Sequence, residues 1–179
     1  MLTIRCTRKL LKRLGAEAIV VPPSPTNRLG NWYANLVFVR HVPLIICISE
    51  RSLLPVIVEA RGASSFSPRF RDAARSVLQG IGAGPDMVGR EVREMGSFAI
   101  GVTANRRVLG SLNDLASLAR FEIEDNPSID LVALAVKLAE TPCSPLKYES
   151  PRQSLWLSCG TPVRDWTGTR PCTRSAVAN

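Results

Sequence analysis

The sequence predicts an α+β fold in which an antiparallel sheet of four or five strands, with a central meander, packs against about four to five helices. Three observations predict it. Hydrophobic residues alternate along the chain from Trp32, and two further apolar runs follow at the spacing of consecutive hairpins. Later segments carry apolar residues at helical spacing. The chain has 179 residues, 45% of them hydrophobic, so it can bury a single core.

The strands are expected where short apolar runs lie between turn-forming residues. Five segments fit this description, namely residues 2–6, 32–39, 44–49, 55–60 and 98–102. Residues 44–49 are apolar almost throughout, which indicates a central strand. Turns predicted at residues 40–43 and 50–53 join three of the five segments into the antiparallel meander.

The helices are expected where apolar residues recur along one stripe and a capping residue comes first. Five segments fit, namely those that begin after Thr7, at Ser67, at Pro85, after Asn105 and near Ser128. The side-chain oxygens of Thr7 and Asn105 suit an N-cap, and Pro68 suits the first helical position. Gly15 and Gly80 are placed to end the first two helices.

One domain is expected over residues 1–146, and residues 147–179 are expected to form a basic, largely disordered tail, because Pro, Ser, Thr, Gly and Arg dominate there without periodicity. The net charge of +8 is uneven along the chain. Residues 1–30 carry six basic and one acidic side chain, residues 31–143 carry twelve of each, and residues 144–179 carry five and two. The predicted core is therefore neutral, and the positive excess lies at the two ends.

Composition excludes several kinds of site. The single histidine, His41, rules out any metal centre or catalytic scheme that needs several imidazoles from one chain. Five scattered cysteines form no C-x-x-C pair, and their odd number suits a reducing cytoplasm. The most apolar stretch, residues 36–48, is too short and too interrupted to span a membrane. We therefore expect a cytoplasmic protein with no metal, no cofactor and no membrane partner.

The densest polar constellation lies in residues 103–114, near the start of a predicted helix. Its candidate binding residues are Arg106, Arg107, Ser111, Asn113 and Asp114. Two guanidinium groups beside a helix N-terminus are able to receive a phosphate or a carboxylate. The alternative is a solvated helix face on which a small glycine allows close packing of a neighbour.

Two further surfaces are candidates. Trp32 and Asn35 lie close together in the predicted second strand, where asparagine is unusual. Asn35 then either ties the strand to a neighbouring loop or forms part of the floor of a polar site. The first predicted helix has a basic face that is able to contact nucleic-acid phosphates or to remain solvated. That face consists of Arg8, Lys9, Lys12 and Arg13.

Three other features have simpler interpretations. The glycine-rich run 80–84 follows a helix instead of a strand, so a helix–helix connection is favoured over a phosphate-binding loop. His41 is expected to be a solvated turn residue instead of a general base. The acidic cluster of Glu122, Glu124 and Asp125 is expected to be a charged helix end instead of a metal site.

Four separated segments resemble, in order along the chain, the motifs of a family of small uncharacterised bacterial proteins. The family is defined by a domain of unknown function. They are I-R-C-T-R-K-L-L-K-R-L, N-W-Y-A-N-L, I-S-E-R-S-L-L-P-V and T-A-N-R-R-V-L-G-S-L-N-D. The resemblance covers about residues 1–146. It implies a family motif of aromatic-x-Ala-Asn and a polar helix start, but no catalytic residues. In this chain the first motif corresponds to Trp32, Ala34 and Asn35. The polar helix start corresponds to Asn105, Arg106, Asn113 and Asp114.

Three functions remain open from the sequence. The favoured hypothesis is a non-catalytic cytoplasmic binding protein, whose partner is a nucleic acid or a protein met through the basic helix and residues 106–114. The alternative is a small nuclease or toxin-like enzyme, with Arg106 and Arg107 holding an anion and Asp114 or His41 moving a proton. The enzyme hypothesis requires that Asn35, Arg106, Arg107 and Asp114 converge on one pocket. The third is a subunit of a complex with no ligand of its own, marked by an apolar surface patch.

Overall fold

The structure is a computed structural model that describes residues 2–19, 24–62 and 65–159, with side chains to residue 157. The predicted disordered stretch 160–179 lies outside the described residues. Five strands form one sheet. They are β1 (Leu2–Cys6), β2 (Trp32–Val39), β3 (Val42–Ser49), β4 (Pro55–Glu59) and β5 (Phe98–Val102). Their order across the sheet is β4-β3-β2-β1-β5, and the α+β fold class is confirmed.

The sheet is mixed, so the prediction of an antiparallel sheet is wrong for two of its four strand pairings, β1 with β2 and β1 with β5. β2, β3 and β4 form the predicted antiparallel meander. β1 instead runs parallel to both of its neighbours, with Ile4 beside Trp32 of β2 and Ile100 of β5. The physical reason is the helix between β1 and β2, which carries the chain back so that both strands start from the same end.

Six α-helices lie in the described part of the chain, one or two more than predicted. They are α1 (Arg8–Leu14), α2 (Phe66–Gly80), α3 (Pro85–Glu94), α4 (Arg106–Asp125), α5 (Leu131–Leu138) and α6 (Pro151–Cys159). The first five correspond to the predicted segments. Asn105 caps α4 as predicted, since its Oδ1 accepts from the backbone N–H groups of Arg107 and Val108. The glycine-rich run 80–84 joins α2 to α3.

Helix α6 lies in the stretch that the sequence assigns to a tail. Ser150 and Gln153 cap it reciprocally: the Ser150 N–H donates to Gln153 Oε1 at 3.0 Å, and the Gln153 N–H donates to Ser150 Oγ at 3.2 Å. Leu155 is buried, and the Arg152 N–H donates to the Ala139 carbonyl at 3.0 Å. The packed part of the chain therefore extends past residue 146, at least to Leu155.

Helices cover both faces of the sheet. On one face the Trp32 ring meets Phe70 of α2 edge-on, with 5.0 Å between the ring centroids. On the other face α4 lies over β2, where the Asn105 N–H donates to the Tyr33 hydroxyl at 3.2 Å. The alternation of side chains along β2 thus divides its residues between two separate helical layers.

The turn between β2 and β3 is conformationally strained, because Arg40 and His41 have φ angles of 45° and 70°. Two-residue hairpins of this kind favour glycine in the second position, since other residues cost about 1 kcal/mol or more in the left-handed region. We expect His41→Gly to raise the free energy of unfolding by about 1 kcal/mol, measured by urea denaturation. His41→Ala, which lacks the freedom of glycine, is the control. A gain from both variants, or from neither, contradicts this explanation.

Candidate functional site

The predicted constellation at the start of α4 does not form one site. The Arg107 Nη2 donates to the carbonyl of Pro145 at 2.8 Å, so this guanidinium holds the short 3-10 helix Ser144–Leu146. Ser111 is buried, and its hydroxyl donates to the Arg107 carbonyl at 3.4 Å. Asp114 lies near Cys143. The pKa of the Cys143 thiol is raised mainly by burial and also by the negative charge of the Asp114 carboxylate. Arg107 therefore connects α4 to the segment that follows α5, whereas the Ser111 hydroxyl bonds within α4.

Asn113 lies on another side of α4, where it meets β2. The Asn35 Nδ2 donates to Asn113 Oδ1 at 3.4 Å, and the Thr7 hydroxyl donates to Asn35 Oδ1 at 2.9 Å. Asn35 of β2 is therefore bonded to Thr7, which precedes α1, and to Asn113 of α4. It is half-buried, so one side of this chain of amides remains open to solvent.

Trp32 and Asn35 are not brought together. Trp32 is fully buried on the opposite face of the sheet, and its Nε1 has no hydrogen-bond partner among the described residues. Arg106 is exposed at the first position of α4. The set that the enzyme hypothesis requires is thus spread over separate surfaces, and His41 is exposed in the hairpin turn.

The structure instead shows a groove beside β2, between α1 and α4, with a volume of about 390 Å³. We call it the β2-edge groove. Its lining residues are Lys9 from α1, Asn35, Leu36, Val37 and Phe38 from β2, and Asn113, Ala116, Ser117 and Arg120 from α4. Two candidate binding residues, Asn35 and Asn113, and one residue of the basic helix face, Lys9, therefore meet here.

The edge of β2 is open in this groove because β1 is shorter than β2. The β1–β2 pairing ends at Cys6 and Ala34, and the Thr7 N–H then donates to the Ala34 carbonyl at 3.0 Å before the chain turns into α1. Backbone groups two residues apart in a strand face the same edge. The N–H and C=O groups of Leu36 and Phe38 therefore face the groove, and no described strand pairs with them.

The walls of the β2-edge groove are cationic. Lys9 Nζ lies 4.6 Å from the centroid of the Phe38 ring, on the Trp32 side of the sheet. Arg120 lies on the opposite, Asn35 side, two turns along α4 from Asn113. The described lining residues include no carboxylate. Phe38 is 45% exposed, so its side chain adds an accessible apolar surface to the floor.

The basic helix face divides into residues that make contacts and residues that face solvent. Lys9 contacts Phe38, and the Arg13 Nη2 donates to the Ala60 carbonyl at 3.4 Å. Arg8 and Lys12 are exposed, and α1 contains no acidic residue. The electrostatic potential around the Lys9 wall is therefore positive beyond the groove itself.

The chemistry of the groove suits binding. Amides, one hydroxyl and two cationic groups line it, and these hold anions and hydrogen-bonding groups. The neighbouring thiols on the sheet, Cys6 and Cys47, are buried. Burial raises the pKa of Cys6 to about 12, and burial together with Cys6 raises that of Cys47.

Among the described residues, no group of three or more His, Cys, Asp or Glu side chains is placed to hold a metal ion. In the acidic cluster near the end of α4, Glu122 forms an ion pair with Lys137 of α5 at 2.5 Å. No described helix is long and apolar enough to cross a membrane.

Sequence reasoning did not find Phe38 and Arg120. A signal for Arg120 was present, since Asn113, Ser117 and Arg120 follow one another at helical spacing outside the apolar stripe of α4. Phe38 carries no such signal. The exposure of Phe38 depends on the position at which β1 ends. The sequence of β2 holds no information about that position.

The comparison with known families supports the resemblance seen in the motifs. No curated protein and no solved structure matches the chain. A family model described as a domain of unknown function, DUF6933, matches residues 3–154. The matched segment runs from β1 into α6 and includes every residue named in the β2-edge groove. The chain therefore belongs to the DUF6933 family.

Proposed function

We propose that the protein is a non-catalytic binding protein that captures an extended, acidic segment of a partner protein in the β2-edge groove. One observation carries the proposal. The backbone groups of Leu36 and Phe38 face a groove that has a cationic residue, Lys9 or Arg120, on each wall. An open strand edge binds a peptide by adding it to the sheet as a further strand.

The positions of the two cations define the preferred segment. Successive side chains of a strand point to opposite faces of the sheet. Lys9 lies on one face and Arg120 on the other. Two adjacent acidic residues in the bound segment would therefore reach one cation each, while the backbone pairs with Leu36 and Phe38. Asn113 and Ser117 offer further hydrogen-bonding groups on the Arg120 side.

The open backbone favours a protein partner over a nucleic acid. Alternating N–H donors and C=O acceptors along an edge are complementary to another peptide backbone, whereas nucleic-acid phosphates accept only. Lys9 beside the edge also opposes pairing with a second copy of this chain, because the two lysines would repel each other. An acidic partner has no such penalty.

We propose that the protein acts in the cytoplasm, the compartment that the cysteine pattern favours. Cys6, Cys47 and Cys143 are free and buried, which agrees with a reducing environment.

The test is a fluorescence anisotropy titration with a labelled octapeptide, Thr-Val-Thr-Glu-Glu-Thr-Val-Thr. The controls are the same peptide with Lys-Lys in place of Glu-Glu and a single-stranded thymidine dodecamer. We expect saturable binding of the acidic peptide alone, weakening as salt is added because the contacts are partly electrostatic. Preferential binding of the dodecamer would indicate a nucleic-acid partner instead. Equal binding of both peptides, or of neither, contradicts the proposal.

A further inference from the structure

The side of α4 that faces away from the sheet carries an exposed aromatic ring. Phe121 is 66% exposed, the largest exposed fraction among the apolar side chains of this helix. Gly110 lies on the same side, because it precedes Phe121 by about three helical turns. We call this side the outer face of α4. It consists of Arg106, Gly110, Asp114, Phe121 and Glu124, and none of these lines the β2-edge groove.

Gly110 is the unexplained residue of the outer face. A glycine inside a helix is less favourable than an alanine, so a compensating reason is expected. The backbone of Gly110 is not left-handed, and a Cβ atom added there would have no described atom within 4 Å. Neither the conformation nor the packing of this chain therefore requires a glycine. Its missing side chain leaves a depression on the helix surface, which a side chain from another molecule is able to fill.

The charged residues at the two ends of α4 oppose the helix dipole. Arg106 and Arg107 begin the helix, where the dipole favours acidic groups. Glu124 and Asp125 end it, where the dipole favours basic groups. No described residue forms an ion pair or a hydrogen bond with the side chain of Arg106, Glu124 or Asp125. A second α4 that runs in the opposite direction would bring opposite charges together at both ends.

The depression at Gly110 fixes the register of such an antiparallel pair. If Phe121 of each copy fills the depression of the other, a two-fold axis crosses α4 midway between these positions. Arg106 lies four residues before Gly110, and Glu124 lies three residues after Phe121. The register therefore brings Arg106 of one copy close to Glu124 of the other. The two residues are about five whole turns apart, so they also lie on the same side of the helix.

We propose that the protein forms a symmetric dimer in which the outer faces of two α4 helices pack antiparallel. The Phe121 ring of each copy lies against Gly110 of the other, and two pairs of Arg106 with Glu124 flank this contact. A single helix of 20 residues is about 30 Å long, so the contact is smaller than a standard interface and the dimer is weak. The dimer does not use the edge of β2, and its test is independent of the proposed function.

The test is sedimentation velocity of the full chain at protein concentrations from micromolar to millimolar. We expect a reversible equilibrium between monomer and dimer, whereas a monomer at every concentration overturns the proposal. Arg106→Glu and Glu124→Arg should each weaken the dimer at least about tenfold, because an attraction becomes a repulsion at two places. A dimer that neither change weakens does not use this face, and that result overturns the proposal too.

Mixing these two single variants tests the antiparallel register. Each variant repels a copy of itself, but in a mixed pair both contacts again join opposite charges. We therefore expect the mixture of Arg106→Glu with Glu124→Arg to dimerise nearly as tightly as the parent protein. A mixture that dimerises no better than either variant alone contradicts the register.

Gly110→Leu tests the depression. The added side chain takes the place of the Phe121 ring, so we expect the dimer to weaken at least about tenfold. The thermal stability of the monomer should stay equal or rise, because leucine is the better helix former. Gly89→Leu on α3 is the matched control, since a Cβ atom there also has no described atom within 4 Å. Equal effects of both variants on the dimer, or no effect of Gly110→Leu, contradict the assignment.

Asp114→Asn tests the register in the opposite direction. Asp114 lies near the axis, so the carboxylates of the two copies approach each other. The variant removes this repulsion and should tighten the dimer, although it raises the net positive charge of each copy. An unchanged or weaker dimer would contradict the register.

Discussion

Reversing both cationic walls of the β2-edge groove, by Lys9→Glu together with Arg120→Glu, is expected to weaken binding of the acidic octapeptide on the order of a hundredfold. Each substitution replaces an attraction with a repulsion, and we assign each a factor of about ten. Both side chains are exposed, so we expect the double variant to fold. It loses only the contact between Lys9 and the Phe38 ring, which contributes little to stability. The measurement is the anisotropy titration, with thermal unfolding recorded beside it.

The matched control for this variant is Arg75→Glu with Lys147→Glu. Both residues are exposed and lie outside the groove, and the change in net charge is the same. We expect the control to bind nearly as tightly as the parent protein at physiological salt, because distant surface charges are screened. An equal loss in both variants would mean that overall charge, and not the groove, drives binding.

Trp32→Ala is expected to lower the free energy of unfolding by about 3–5 kcal/mol, whereas Trp32→Phe costs much less. The indole is fully buried and packs edge-on against Phe70, so the alanine variant leaves a large cavity. The phenylalanine variant keeps most of the ring contact and breaks no hydrogen bond, because Trp32 Nε1 has no described partner. Urea denaturation measures both values.

Trp32→Phe also tests whether this residue takes part in binding. Since Trp32 lies in the core on the face of the sheet covered by α2, we expect the phenylalanine variant to bind the octapeptide as the parent does. If the variant folds normally but no longer binds the octapeptide, Trp32 takes part in binding.

The strands of the meander and the cap of α4 could be predicted because their signals are local. Alternation identifies β2, and Asn105 marks the start of α4. The same alternation also places Trp32 and Asn35 on opposite faces, since they differ by an odd number of positions. Their closeness in the sequence therefore does not bring the two side chains together. Helix α6 had a local signal as well, the capping box of Ser150 and Gln153.

The direction of β1 and the open edge of β2 could not be predicted from local patterns. β1 looks the same whether it pairs in parallel or antiparallel, and its partners lie far along the chain. The groove exists because pairing stops at Ala34 while β2 continues to Val39. That difference is a property of strand register, which no single segment determines.

The central claim is that a partner segment pairs with the open edge of β2. Amide hydrogen exchange of ¹⁵N-labelled protein, measured by NMR with and without saturating octapeptide, tests it most directly. Val37 and Val39 face β3 and should be protected in both states. The account predicts that the amides of Leu36 and Phe38 become protected only when the peptide is bound. Unchanged exchange at Leu36 and Phe38 under saturation would contradict it.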